Sequence, residues 1–457
     1  MTNSYSSLAI SDPDALCFGH SPKPVHCGFG ITIGGGQVYP ELNFTLPTMT
    51  IEQATWADVR KHYQEIADMV IRAGKRLHLP GLVLEFELLP PMTEAPEWGA
   101  EITAILHDAL KKAHESYGLP CALRVTPTDV RDRQRPPLLR SGEEWDVLRA
   151  SFEQCSKAGA DILSIESVGG KEVHDEALMY GDVRGAMFAL GVLAPRDMEF
   201  LWTMIVDVAS KHRVVPGADS ACGFANTAMQ LAGQGMLPEV LAAVIRAASV
   251  VRSLMAYRVG AKGPSKDCAY EGPVIKAITG TPIAMEGKSA SCAHFSPVGN
   301  VAAAMCDLWS NESVQNLRLL SGSAPEAYLE LLAYDCRIFN EATRQKKTAE
   351  YRSLLVQSDI GLSPQALVLS PESTVAIAQA IVGAPDPYRQ TVAAARTAVT
   401  LIARAQQEGK LSLVPREMEW LGKIAAALDD MPETEGELIG EMADTYGHKF
   451  LPSSYGL

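Results

Sequence analysis

Short apolar segments alternate with longer segments of helical periodicity along the first two thirds of the chain. The periodicity predicts helices at residues 56–77, 98–117 and 143–158, and each of them ends near a glycine, as helices commonly do. We predict eight strands, at residues 82–88, 121–126, 161–166, 188–193, 213–218, the region before Cys268, 282–286 and 314–319. Repeated alternation of this kind gives a parallel sheet covered by helices. Eight such units favour a closed (β/α)8 TIM barrel over an open sheet.

The segments on either side of the predicted barrel have different patterns. Residues 1–55 are rich in Gly and Pro, and we expect an irregular segment that covers a barrel at residues 56–323. Within this segment, HCGFGITIGGG at residues 26–36 lacks the spacing of a dinucleotide-binding loop and is interpreted as a tight turn or hairpin. Residues 324–457 show helical periodicity throughout and predict a helical C-terminal extension. Its apolar faces could pack on the barrel or serve a dimer interface.

Composition and charge narrow the functional classes. The 457 residues are 47% hydrophobic and 21% charged, which excludes a disordered chain and a collagen-like fibre. The net charge of −14, without a basic block, argues against nucleic-acid and membrane-surface binding and favours a partner with a basic face. Residues 237–251 are apolar but contain Glu239 and Arg246, and the N-terminus lacks a secretory pattern, so we expect a cytoplasmic protein. In that compartment the nine cysteines are expected to be free thiols or metal ligands.

Residues with metal-binding chemistry follow several of the predicted strands. The active site of a (β/α)8 barrel lies at the C-terminal ends of its strands. The sequence places there Glu166, Asp219, Cys222, Asp267, Cys268, Glu286, Cys292 and His294. Thiols, imidazoles and carboxylates are zinc ligands, and a catalytic zinc keeps three protein ligands and one open position. Spacing alone does not decide between a site built on Cys222 and Cys268 and one built on Cys292 and His294.

Four stretches of the sequence resemble the zinc subunit of the methanol–corrinoid methyltransferases. They are IGGGQVYPELNFTLP at 33–47, ILSIESVGGKEVHDEALMYGDVRG at 162–185, VPGADSACGFANTAM at 215–229 and the segment that begins KDCAYEGP at 266–300. The resemblance implies a (β/α)8 barrel with one Zn²⁺ held by Glu166, Cys222 and Cys268. It leaves Cys292 and His294 supporting or structural roles. It also implies a partner protein that carries a corrinoid, and a dimer of this subunit within a heterotetramer.

The reaction implied by the resemblance is transfer of the methyl group of methanol to Co(I) of the corrinoid. Zinc with two thiolates and one carboxylate carries one net negative charge, so it is a weaker Lewis acid than a zinc held by three histidines. We therefore expect methanol to bind as the neutral alcohol or to share its proton with a nearby acid. Asp182, Asp219 and Glu286 are the candidate proton donors.

Other functions stay open from the sequence. One is a corrinoid methyltransferase that uses a methoxylated aromatic compound or a methylamine. Another is a zinc hydrolase or aldolase on the same fold, since a barrel does not determine a reaction. A scaffold that has lost its site is disfavoured because Glu166, Cys222 and Cys268 are all present. The host pathway, methanogenic or acetogenic, also stays open.

Overall fold

The computed structural model describes residues 4–44, 49–266, 268–287, 296–313 and 325–457. Its strands are β1 (His20–Cys27), β2 (Ile31–Gly35), β3 (Tyr39–Phe44), β4 (Leu82–Leu88), β5 (Cys121–Pro127), β6 (Ile162–Ile165), β7 (Val215–Asp219), β8 (Ala284–Glu286) and β9 (Leu308–Ser313). Its helices up to the barrel's end are α1 (Trp56–Arg76), α2 (Pro90–Glu94), α3 (Pro96–Tyr117), α4 (Glu143–Ala158), α5 (Lys171–Tyr180), α6 (Val183–Phe188), α7 (Ala194–His212), α8 (Thr227–Gly233), α9 (Glu239–Arg258), α10 (Gly272–Thr279), α11 (Gly299–Ala303) and α12 (Pro325–Arg344). The remaining helices are α13 (Thr348–Asp359), α14 (Pro364–Leu369), α15 (Pro371–Gly383), α16 (Pro387–Gln407), α17 (Pro415–Asp429), α18 (Glu435–Tyr446) and α19 (Pro452–Tyr455). Short turns of 3-10 helix at Pro13–Ala15 and of π-helix at Ala189–Leu193 and Cys222–Asn226 complete the elements of the described residues.

The described part of the chain contains a parallel sheet of seven strands in the order β7-β6-β5-β4-β3-β9-β8. The segment at residues 261–266 lies beside β7, where Lys262 N donates to the Pro216 carbonyl and Gly263 N to the Gly217 carbonyl, both at 2.8 Å. This segment occupies the sixth position, between β7 and β8, of an eight-membered barrel. The predicted (β/α)8 class is therefore confirmed, with an extended segment in place of one regular strand.

The predicted strand at residues 188–193 is wrong. Residues 183–212 are helical throughout, because α6 continues through the π-helical turn at Ala189–Leu193 into α7. All five residues of that turn are buried, and a short apolar run that is buried on every side cannot be assigned to strand or helix by periodicity. The predicted strand at 314–319 lies outside the described residues, and β9 ends just before it.

The first barrel strand, β3, lies within the segment that was expected only to cover the barrel. Its Glu41 is completely buried and Asn43 nearly so, and these polar residues two positions apart conceal the apolar pattern of a buried strand. The barrel therefore begins before residue 56, the boundary that the sequence predicted.

The hairpin formed by β1 and β2 closes the N-terminal end of the barrel. Ile31 and Ile33 of β2 pack with Val83, Ala122 and other inward-facing strand residues in a buried apolar cluster. Gly28 in the turn has φ +51°, and a Cβ there would lie 2.3 Å from the Cys121 carbonyl oxygen. Only glycine fits this approach, and the hairpin interpretation of residues 26–36 is confirmed.

Helix α12 is the eighth helix of the barrel. It packs on β3, β9 and α1, so the separate helical extension begins after Arg344, later than the predicted boundary at residue 324. The helices that follow cover one side of the barrel, with α16 and α17 against α9, α15 against α10 and α13 against α11. The apolar faces in these contacts therefore pack within the chain.

Helix α9 is long and apolar enough to pass a length and composition test for a membrane span. The apolar window that meets this test is completely buried inside the fold. It is enclosed by α7, α8, α14 and α16, which is the environment of a core helix in a large domain.

A buried ion pair inside the barrel gives a test of the fold. Arg124 Nε donates to Glu41 Oε1 at 2.6 Å, and both side chains are fully buried. We expect Arg124→Met to destabilise the protein by about 3–5 kcal/mol, because the guanidinium that compensates the Glu41 carboxylate is lost. The double variant Glu41→Met with Arg124→Met should recover part of this loss. Urea unfolding followed by circular dichroism measures both, and an unfolding curve of Arg124→Met like that of the parent would contradict the expectation.

Candidate metal centre

Glu166, Cys222 and Cys268 converge at the C-terminal rim of the barrel. Glu166 directly follows β6, Cys222 opens the π-helical turn after β7, and Cys268 follows the extended segment in the sixth position. Their ligand atoms all lie within 4.8 Å of one another, and the Cys268 thiol donates to Glu166 Oε1 at 3.4 Å. Within the described ranges, this is the group of His, Cys, Asp and Glu side chains whose geometry suits a metal ion.

The donor set fits zinc. Zinc bonds of about 2.3 Å to sulfur and about 2.1 Å to oxygen place tetrahedral ligand atoms roughly 3.6–3.8 Å apart. The three donor atoms lie within 4.8 Å of one another, so side-chain rotations can bring them to bonding distance. Two soft thiols with one carboxylate favour zinc over magnesium or calcium, which prefer oxygen ligands alone. Three protein ligands leave one coordination position for a substrate.

The Cys222 thiol lies in a strongly acidic surrounding. Its contact with the Cys268 thiol, its burial and the nearby Glu166 carboxylate raise the pKa of Cys222 well above its usual value. The Asn226 side-chain amide donates to Cys222 Sγ at 3.3 Å and orients the sulfur. A cation among these three side chains would relieve the repulsion that keeps the proton on Cys222.

Lys266 places a buried positive charge next to the candidate ligand Glu166. Its ammonium lies 2.7 Å from Glu87 Oε1, 3.1 Å from Glu85 Oε1 and 3.7 Å from Glu166 Oε1, and its side chain is 1% exposed. Thr126 also donates to Glu85, at 2.8 Å. Lys266, which lies two residues before Cys268, therefore joins the inner face of β4 to the Glu166 carboxylate.

Asp219, a predicted proton donor, is held in a buried network. Its Oδ1 accepts from the Ser220 amide at 2.7 Å and from Arg252 Nη2 at 3.1 Å, and its Oδ2 accepts from Trp202 Nε1 at 3.3 Å. Its Oδ1 also accepts from the Ser167 amide at 3.4 Å. These contacts tie the Glu166 loop to the Cys222 loop, which gives Asp219 a role in loop geometry.

The structure separates the other predicted site residues. Asp182 accepts from the Tyr446 hydroxyl at 2.8 Å, which links the start of α6 to α18. Glu286 ends β8 and is 1% exposed. Asp267, Cys292 and His294 lie outside the described residues. The eight described cysteines are all free thiols, as predicted for this part of the chain.

Sequence reasoning missed the charged residues beneath the candidate ligands. Glu85 and Glu87 stand two positions apart in LVLEFEL, so they share one face of a strand that is otherwise apolar. Carboxylates on one face of a buried strand indicate a polar barrel interior. Lys266 carried no comparable signal, because its neighbours are brought to it only by closure of the barrel.

These features define a (β/α)8-barrel enzyme with its active site at the C-terminal rim. A family profile described as methanol-cobalamin methyltransferase B subunit matches residues 2–456. The methanol–corrinoid protein co-methyltransferase of Methanosarcina barkeri (strain Fusaro / DSM 804) is 36% identical over 458 residues, which cover 99% of each chain. A chain in the crystal structure of the methanol:cobalamin methyltransferase complex from Methanosarcina barkeri superposes with a TM-score of 0.95, at 35% identity and 99% coverage of both chains. The chain belongs to the methanol-cobalamin methyltransferase B subunit family, and it is a methyltransferase.

Removing either thiol tests the metal centre. We expect Cys222→Ala and Cys268→Ala to be purified with little zinc, because two remaining ligands are too few for a stable site. Cys155→Ala, which alters a buried thiol on α4, is the matched control and should keep the zinc content of the parent. Elemental analysis measures the zinc. Full occupancy in Cys222→Ala or Cys268→Ala would show that Cys292 or His294 supplies a ligand instead.

Zinc uptake should be strongly pH dependent. The raised pKa keeps the Cys222 thiol protonated at neutral pH in the metal-free protein, whereas zinc binds the thiolate. Binding therefore releases a proton from Cys222, and zinc affinity should rise about tenfold per pH unit for each proton displaced. Calorimetric titration in buffers of different ionisation enthalpy counts the released protons. An affinity that is constant from pH 6 to 8 would contradict this expectation.

Proposed function

We propose that this chain transfers the methyl group of methanol to the Co(I) corrinoid of a partner corrinoid protein, with Zn²⁺ bound by Glu166, Cys222 and Cys268. The observation that carries the proposal is the convergence of two thiols and a carboxylate from three separate loops. Family membership and the named activity of the Methanosarcina relative support the same reaction and the same class of partner.

The chemistry explains why the reaction needs an electrophile at this site. Methanol is a poor methyl donor because hydroxide is a poor leaving group. A zinc ion bound by the three side chains would supply Lewis acidity at the methanol oxygen and so ease cleavage of the C–O bond. The nucleophile belongs to the corrinoid, and the protein contributes binding, orientation and electrostatics.

The side chains around the three ligands fix their geometry and their charge. Lys266 draws the Glu166 carboxylate toward Glu85 and Glu87, which limits the orientations that Glu166 can adopt. The two additional carboxylates make the surrounding negative. Negative charge favours binding of a divalent cation and disfavours release of a proton from methanol, since the methoxide would add another negative charge.

A proton must reach the departing oxygen. Of the three candidate donors, Asp219 is engaged by Arg252 and Trp202, and Asp182 by Tyr446. Glu286 ends β8 at the C-terminal rim of the barrel, and it stays a candidate donor because of that position.

The proposed partner is a corrinoid protein, and the resemblance to the family suggests how the subunits assemble. The net charge of −14 favours a corrinoid protein with a basic docking face. We propose a dimer of this chain within a heterotetramer that contains two corrinoid subunits.

A methyl-transfer assay tests the proposed reaction. The zinc-loaded chain is mixed with methanol and a corrinoid protein reduced to the Co(I) state, and visible absorption follows conversion to methyl-Co(III). We expect rapid methylation with methanol and none with a methoxylated aromatic compound or a methylamine. Cys222→Ala should be inactive, and Cys155→Ala should behave like the parent. Methylation from either of the other donors, without a reaction of methanol, would overturn the assignment of the substrate.

A further inference from the structure

Helix α9 carries two buried arginines in an otherwise apolar core environment. Arg246 is 2% exposed and Arg252 is fully buried. Every residue between them is buried as well. Burying a guanidinium is costly unless hydrogen bonds and counter-charges compensate it. The partners of these two side chains therefore indicate what the charges are used for.

Arg252 joins the loops that carry Glu166 and Cys222. It donates through Nη1 to the Ser220 carbonyl at 2.8 Å and through Nη2 to Asp219 Oδ1 at 3.1 Å, and it also donates to the Ser167 hydroxyl. Ser167 directly follows Glu166, and Ser220 lies two residues before Cys222. The guanidinium also lies 4.7 Å from the ring centre of Phe224, two residues after Cys222.

Arg246 has the same relation to the loop that carries Cys268. Its Nη1 donates to the Ala269 carbonyl at 2.7 Å, and its guanidinium lies 5.0 Å from the ring centre of Tyr270. Its Nη2 donates to Gln365 Oε1 of α14 at 2.8 Å, which fixes its direction from the opposite side.

The backbone at Tyr270 adds an independent observation. Its φ is +61°, in the left-handed region that a bulky side chain rarely adopts. Such a conformation costs free energy and persists only where its surroundings impose it. Arg246 contacts the Ala269 carbonyl and the Tyr270 ring at this unusual backbone position, two residues after Cys268.

We propose that Arg246 and Arg252 are positioning residues that hold the three candidate ligand loops in register from one rigid helix. This inference rests on the proposed metal centre. Each guanidinium contacts a residue next to or two positions from a ligand and stacks on the aromatic residue two positions after a cysteine. The planar fork of arginine makes several such contacts at once, which a lysine ammonium cannot do, even though it keeps the charge.

The competing explanation is that Arg246 and Arg252 only stabilise the fold and have no effect on the metal. Arg352 supplies the matched control. Arg352 is also buried, at 8% exposure, and donates to the Pro13 carbonyl at 2.7 Å and to the Asp14 carboxylate. In the described part of the chain, its hydrogen-bond partners belong to the N-terminal segment, and none of them is a neighbour of a candidate ligand. Arg352→Lys therefore reports the general cost of weakening a buried guanidinium network.

The test compares zinc affinity in Arg246→Lys, Arg252→Lys and Arg352→Lys, measured on metal-free protein against a competing chelator. We expect Arg246→Lys and Arg252→Lys to bind zinc about 10–100-fold more weakly, the range seen when groups that orient metal ligands are removed. Arg352→Lys should bind zinc like the parent. The visible bands of bound Co²⁺, which report the ligand geometry, should change only in the two α9 variants.

Two milder variants keep the test decisive if a lysine variant does not fold. Ser167→Ala removes one acceptor of Arg252, and Gln365→Leu removes the group that directs Arg246; each should weaken zinc binding, by less than the lysine substitution. Parent-like zinc affinity in the α9 variants and in these two would overturn the positioning role alone. An equal loss in Arg352→Lys would also overturn it. A parent chain that binds no zinc would overturn the metal centre and this inference together.

Discussion

The C-terminal half of the barrel depends on the ion pairs that the Lys266 ammonium makes. It lies among the carboxylates of Glu85, Glu87 and Glu166, and its side chain has almost no contact with solvent. Glu85 is fully buried, and Glu87 and Glu166 are partly buried. Three carboxylates this close together need a counter-charge, because their mutual repulsion adds to the cost of desolvating Glu85. Lys266 also belongs to the extended segment that replaces a regular strand beside β7. The ion pairs therefore hold in place a part of the barrel whose backbone contacts with β7 are few.

Because buried carboxylates need a counter-charge, the barrel interior is divided into two chemically different halves. The N-terminal half is apolar and closed by the β1–β2 hairpin, whose Ile31 and Ile33 fill the space below the strands. Above it, Arg124 compensates Glu41, and Lys266 compensates only part of the charge of the three carboxylates around it. The excess of negative charge lies at the rim, next to two thiols whose ionisation would increase it. A divalent cation is the species that balances such a site, so the charge distribution of the barrel supports the proposed metal independently of ligand geometry.

Much of this architecture could be predicted from the sequence, but only where an element has one buried face and one exposed face. Helices such as α1, α3 and α4 have one apolar face and a glycine near the end, and their predicted bounds agree closely with those observed. Elements buried on every side lack such a contrast, so residues 188–193 were assigned to a strand, and the polar interior face of β3 concealed a real one. The strand positions place Glu166, Cys222 and Cys268 among several candidates at the rim, the family resemblance selects them, and the structure brings them together. Arg246 appeared in the sequence only as an interruption of an apolar stretch, since its partners are distant along the chain.

The candidate centre differs in kind from a site encoded by a short motif. Glu166 and Cys268 are separated by 102 residues, so no local turn brings them together. The free-energy cost of closing so long a loop must be met by the barrel itself, before a metal binds. Ligand geometry then depends on how accurately separate loops are anchored to rigid elements. The strand ends fix where each loop begins. The buried α9 contacts all three ligand loops, those after β6, after β7 and after the sixth segment. A helix with this position can impose a common geometry on ligands that the sequence leaves unconnected, and this explains why two costly charges occur in a deeply buried helix.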